Sequence, residues 1–123
     1  MADSCDVLVV DDDVMLGETI ARSLSRNGIR TRAVHSGSSA LKVLEKERPR
    51  VAVLDYELPD TTGPELAQKL HEALPDISIL LMSGAIGHVD RKTLEQCGIK
   101  VFLNKPVPLA PLNQAVMRLL KTR

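Results

Sequence analysis

Short apolar runs recur along this chain, beginning near residues 7, 29, 51, 77 and 101, and a helical pattern fills every gap between them. Val7-Leu8-Val9-Val10, Val51-Ala52-Val53-Leu54 and Ile77 to Met82 are continuous aliphatic stretches. Continuous apolarity over so few residues fits a strand covered on both faces. Ile29, Thr31 and Ala33 instead alternate with Arg30, Arg32 and Val34, which predicts a strand with one wet face or one at a sheet edge. Val101-Phe102-Leu103 is the last run.

The gaps read as helices. From Val14 to Asn27, Leu16, Ile20 and Leu24 recur at four-residue spacing beside Ala21, and Gly28 supplies a left-handed stop. Ser36 is placed to cap a second helix with Ala40, Leu41 and Leu44 inward, ended by Pro49. Pro59-Asp60-Thr61-Thr62-Gly63-Pro64 is turn chemistry, with Pro64 suited to the first position of a third helix that carries Leu66, Ala67 and Leu70 and stops before Pro75. A fourth, about His88 to Cys97, has Val89 and Leu94 as its main anchors and Gly98 as its close. The last puts Leu112, Val116 and Leu119 on one face. Parallel strands need helical crossovers, so strict alternation predicts an α/β fold with a five-stranded parallel sheet and right-handed connections. No repeat, linker or low-complexity segment interrupts it, so residues 1–123 are expected to form one domain.

Composition excludes several functions. Lys and Arg total 16 against 16 Asp and Glu, without the cationic excess of a dedicated nucleic-acid binder. One Tyr, one Phe and no Trp leave little for base stacking and predict an aliphatic core. Cys5 and Cys97 lack metal-ligand or disulfide-framework spacing, and Cys97 reads as a small apolar helix residue. The N-terminus lacks a basic signal-peptide region and no run approaches a membrane span, so the expected location is cytoplasmic, with no membrane partner.

Ligands of an open parallel sheet bind beyond the carboxyl ends of its strands. Strand one delivers Asp11 and Asp12 there, strand three Asp55, strand four Ser83 and strand five Lys105, while strand two delivers His35-Ser36. Three crowded carboxylates would raise one another's pKa unless a cation neutralised them. A divalent ion on one or two carboxylates, keeping waters for a phosphate, is what Mg²⁺ prefers. Asp13 is expected to cap the first helix.

In this order, the residues resemble the receiver domain of two-component response regulators, a chemotaxis-regulator-like superfamily. Val9-Val10-Asp11-Asp12-Asp13 resembles its acidic pair, and Leu54-Asp55 with Leu58-Pro59-Asp60 and Gly63 its phosphoacceptor segment. Met82-Ser83-Gly84 resembles its hydroxyl position, and Phe102-Leu103-Asn104-Lys105-Pro106 its Lys-Pro motif. The resemblance implies a flavodoxin-like doubly wound sheet of order 2-1-3-4-5 with helices on both faces. It implies Asp55 as phosphoacceptor, taking the phosphoryl group of a histidine kinase or phosphotransfer protein. Asp11, Asp12, Asp55 and the backbone carbonyl of Glu57 would hold Mg²⁺, for which Mn²⁺ can substitute. Lys105 and Ser83 would bind phosphoryl oxygens. Ser83 and Phe102 would form the switch, with an output domain or downstream protein on the face of the fourth helix, last strand and final helix. Such a domain catalyses only its own phosphotransfer and slow autodephosphorylation.

Some residues depart from the family pattern. Gly84 stands where Ala is usual, Glu57 adds a carboxylate beside the acceptor, and Pro108 with Pro111 is expected to delay the last helix. Lys105-Pro106-Val107 also resembles receivers fused to sensor kinases. The alternative reading is a small haloacid-dehalogenase-type phosphohydrolase, with Asp11 as nucleophile and Asp13 as acid/base. Against it, no acidic pair follows Lys105 and the chain has no room for a cap.

Overall fold

Each apolar run becomes a strand and each gap a helix in the computed structural model, which describes residues 5–84 and 91–121. The order is β1 (Val7–Val10), α1 (Val14–Arg26), β2 (Thr31–Val34), α2 (Gly37–Val43), β3 (Val51–Asp55), α3 (Gly63–Ala73), β4 (Ser78–Ser83), α4 (Arg91–Gln96), β5 (Ile99–Asn104) and α5 (Leu109–Lys121). All strand pairs are parallel, in the order β2-β1-β3-β4-β5. The three continuous runs are the three central strands, and every residue of β1, β3 and β4 is buried. The alternating run is the edge strand β2.

Strand side chains alternate between two apolar layers. Leu8, Val10, Leu54, Ile79 and Leu81 pack with Leu66 and Leu70 of α3 and Leu94 of α4. Val7, Val9, Val53, Leu80 and Met82 pack with Ile20 and Leu24 of α1 and Leu112, Val116 and Leu119 of α5. These layers are aliphatic apart from their margin, where half-buried Tyr56 and Phe102 lie against the α3 layer. Cys97 is buried there as a free thiol. Among the described residues no helix is long and apolar enough to cross a membrane.

Several boundaries differ from the periodicity. β2 starts at Thr31 rather than near residue 29, because Ile29 completes the end of α1. With Gly28 at φ +81, the Ile29 N–H donates to Leu24 at 3.3 Å and the Gly28 N–H to Ser25 at 3.0 Å, a Schellman closure that turns Ile29 inward. α2 stops at Val43, well before Pro49, and the chain tightens into turns where Leu44, Glu45 and Lys46 each bond three residues back. In α3 the first helical residue is Gly63, not Pro64, because Thr62 caps the helix in a reciprocal box with Glu65. β5 begins at Ile99. Of the fourth helix, His88 and Val89 lie outside the described residues, and Leu94 is buried as expected. Pro108 precedes α5, but Pro111 sits inside its first turn, where a missing N–H is tolerated.

Gly63 is fixed by contact. A Cβ there would lie 2.5 Å from Leu81 Cδ1 and 2.6 Å from the Asp55 carbonyl oxygen, a backbone atom that cannot move aside. Gly63→Ala is expected to cost about 1–3 kcal/mol in urea unfolding. Gly84→Ala, with no atom of the described residues within 4 Å of the added carbon, should change stability by no more than about 0.5 kcal/mol.

Candidate functional site

Register builds the site. Val10 pairs with Leu54 across β1 and β3, so the next residues, Asp11 and Asp55, emerge side by side at the carboxyl-end rim. Both are buried, at 0% and 8% exposure, while Asp12 is exposed above them. Each of Asp11, Asp12 and Asp55 offers a carboxylate oxygen, and the three oxygens lie within 4.8 Å of one another. Like charges at that spacing repel by about 3–4 kcal/mol at an effective dielectric of 20. Lys105, delivered just past β5, answers part of this: its Nζ lies 3.2 Å from Asp11 Oδ2 and 3.1 Å from Asp55 Oδ2. The Lys105 backbone N–H also donates to the Ser83 carbonyl at 2.8 Å, tying the end of β5 to the end of β4. The Lys105–Pro106 peptide bond is cis.

Three negative charges and one positive leave a deficit that a divalent cation closes. The cluster is oxygen-only, without His or Cys, which suits a hard ion of the Mg²⁺ or Ca²⁺ type. Ser83 is buried at the end of β4, 2% exposed, one residue beyond the Met82 that pairs with Asp55. Glu57 is exposed in the loop after β3 and bridges to Thr62. Phe102 is half-buried on β5, away from the carboxylates in sequence and set against the α3 layer. Asp13 caps α1, accepting the Leu16 N–H at 3.1 Å, and stands outside the acidic cluster.

Two residues that the sequence places at the end of strand two and in the loop after Asp55 make contacts that spacing alone does not show. His35, at the end of β2, hydrogen-bonds through Nδ1 to the Asp11 carbonyl at 2.9 Å; since a carbonyl only accepts, Nδ1 carries the proton. Asp60 reaches α2 from the loop after β3. A hollow of about 560 Å³ lies at the opposite, amino-terminal ends of the strands, between Arg48, Leu74, Asp76 and Lys100, and contains none of these residues. The chemistry follows the charges, not the volume.

Burial pushes the Asp11 carboxyl above the usual carboxylate range; the Asp13 N–H opposes this, the Asp55 charge reinforces it and Lys105 opposes it. Burial acts to lower Lys105, but its hydrogen bonds and ion pairs with Asp55 and Asp11 outweigh it and hold the ammonium above its ordinary range. Because the folded protein holds the Asp11 proton more tightly than the unfolded chain, the associated stability is present below the ordinary value of about 4. It is lost as pH rises through the folded value. Asp11→Asn should therefore be more stable than the wild type in EDTA at pH 7. That advantage should vanish in urea titrations below about pH 4, and added Mg²⁺ at pH 7 should stabilise the wild type alone.

The response regulator receiver domain family matches residues 7–117. Response regulator MprA of Mycobacterium ulcerans (strain Agy99) is 33% identical over 118 residues, 96% of this chain and 51% of that protein. The chain thus spans about half the length of the curated relatives it matches. A CheY-like receiver domain protein from Methanospirillum hungatei JF-1 shares the fold, with a TM-score of 0.88 at 24% identity over 95% of this chain and 94% of that one. A response regulator from Burkholderia pseudomallei, solved with a phosphorylated aspartic acid, calcium ion and citrate, gives a TM-score of 0.75 at 28% identity over 94% of this chain and 66% of that one. Its sheet order, acidic rim and sequence kinship together make this chain a member of the receiver domain family of two-component signalling.

Proposed function

We propose that residues 1–123 act as one phosphorelay receiver in which Asp55 accepts a phosphoryl group from the phosphohistidine of a histidine kinase or phosphotransfer protein. The observation that carries this is Lys105, whose ammonium meets Asp11 and Asp55 together at the edge of a three-carboxylate cluster. The Burkholderia pseudomallei relative, with its phosphorylated aspartic acid and calcium ion, supports an aspartyl phosphate and a divalent cation here. Exposed Val14 and Met15 at the start of α1, and a cavity of about 370 Å³ between Asp13, Leu16 and Lys105, offer a partner an apolar footing beside the site.

In this reading an Asp55 carboxylate oxygen attacks phosphorus as the donor N–P bond breaks. The electron pair returns to the donor imidazole, which takes up a proton, and Asp55 is left as an acyl phosphate. Such transfers ask the protein mainly for positioning and charge stabilisation. Asp11, Asp12, Asp55 and the Glu57 carbonyl would hold Mg²⁺, or Mn²⁺ in its place, which supplies positive charge to the phosphoryl oxygens. Lys105 exchanges its Asp55 contact for a phosphoryl oxygen, and the Ser83 hydroxyl donates to another. The domain is a signalling phosphoacceptor, and its chemistry is confined to its own phosphotransfer and slow autodephosphorylation. Drawing in Ser83 would shift the end of β4 and, across the Ser83–Asn104 pairing, β5 with Phe102. The face of α4, β5 and α5 then presents a changed surface to an output domain or downstream protein.

Incubation with acetyl phosphate and Mg²⁺ should add one hydroxylamine-labile phosphoryl group by intact mass. The gain should disappear in Asp55→Asn or EDTA and persist in Asp13→Asn. Lys105→Met should slow it by about 10²-fold, the usual cost of removing one preorganised charge-stabilising donor. Loss in Asp11→Asn alone, with multiple-turnover phosphatase activity, would instead establish the hydrolase. Backbone amide spectra should differ between free and phosphorylated protein across residues 84–108; identical spectra would sink the switch.

A further inference from the structure

The Asp60 carboxylate, five residues beyond the acceptor, is engaged with a different element. Its Oδ1 accepts the Gly37 N–H at 2.8 Å and its Oδ2 the Ser38 N–H at 2.9 Å. Both bonds span more than twenty residues of sequence and fasten the loop of residues 56–62 to the start of α2. Gly37 permits this approach: a Cβ there would meet Thr61 Cγ2 at 2.6 Å and Asp60 Oδ1 at 3.2 Å. The two N–H donors hold the Asp60 carboxyl below its usual range, as expected of charge-assisted bonds.

The fastened loop is internally stiff. Tyr56 N–H donates to Met82 at 2.8 Å, Leu58 N–H to Thr61 at 3.1 Å, and Gly63 N–H to Tyr56 at 2.6 Å, while Glu57 bridges Thr62. A pull on Asp60 is therefore felt at Glu57 and Asp55. The start of α2 is also tied to the other acidic arm. His35, two residues before Gly37, donates to the Asp11 carbonyl, and the Asp11 N–H donates to Val34 at 3.2 Å. Ser36 caps α2 by accepting the Ser39 N–H at 3.1 Å, and Asp60 completes that helix start from outside the helix, taking the Gly37 and Ser38 N–H groups that Ser36 leaves and so tying the loop after β3 to it.

We propose that Asp60 is a positioning residue for the cation site, one that sets the spacing between the Asp11–Asp12 arm and the Asp55–Glu57 arm by pinning the acceptor loop to the start of α2. This rests on the function proposed above, in which those arms share a divalent ion. Residues that orient ligands from behind typically change metal affinity by about 10–100-fold when removed.

Tyr56 is the sole tyrosine, in a chain without tryptophan, and adjoins Asp55, so its emission is the probe for Mg²⁺ titrations. Asp60→Ala should raise the Mg²⁺ midpoint about ten-fold, and Asp60→Asn, which keeps one acceptor, by less. Ser36→Ala removes a cap from the same helix without touching the loop, and should stay within about two-fold of the wild type. Urea unfolding in EDTA checks that each variant is folded; if Asp60→Ala is not, Asp60→Asn against Ser36→Ala carries the comparison. Equal shifts in the Asp60 and Ser36 variants, or Asp60 variants within about two-fold of wild type, would overturn the positioning role. A wild-type protein that responds to neither Mg²⁺ nor acetyl phosphate overturns the receiver reading itself, and this inference with it.

Discussion

Lys105 holds its ammonium 3.2 Å from Asp11 and 3.1 Å from Asp55, one positive charge set against three carboxylates within 4.8 Å of one another. That imbalance organises the rest of the rim. Without Lys105 two buried carboxylates would face each other uncompensated, which is among the costlier arrangements a fold can contain. With it, the cluster is tolerable but still short of neutral, and this standing deficit is what suits the rim to a hard divalent ion. Burial first, and then the Asp55 charge, push the Asp11 carboxyl above the usual carboxylate range.

Such a cluster persists only on a rigid support. β1, β3 and β4 are buried along their whole length between two aliphatic layers, so the ends from which Asp11, Asp55 and Ser83 emerge have little freedom to separate. β5, which brings Lys105, is an edge strand with a half-exposed pattern and a register irregularity against β4 at Ile79/Leu80. The rim thus joins three firmly held acidic or polar ends to a cation on a looser strand. A two-state response is easiest to build where one partner can shift and the others cannot.

Much of this was legible locally. The β-branched runs marked the central strands, and Arg30 and Arg32 marked an edge. Asp13, Ser36 and Gly28 were assigned their capping roles, because caps depend on neighbours within a few residues. Where periodicity extends β2 back to Ile29 or α2 on toward Pro49, local hydrogen bonds end the element elsewhere: the closure of α1 takes Ile29, and turns bonded three residues back follow Val43. Tyr56 and Phe102, outside what an aliphatic core requires, both settle at the margin of one layer, beside Asp55 and on the edge strand.

Composition and spacing determined that this chain makes a parallel α/β sheet, and they named the residues at its strand ends, since both depend on local period and capping chemistry. Which ends adjoin was decided by the β2-β1-β3-β4-β5 order. That order sets Asp11 beside Asp55 and lets Lys105 reach a carboxylate 94 residues away. It also turns His35 and Asp60, whose partners the sequence does not reveal, into braces behind the two acidic arms. The reason is physical: periodicity reports how a segment meets the core, whereas the balance of charges at a site depends on which distant segments that core brings together.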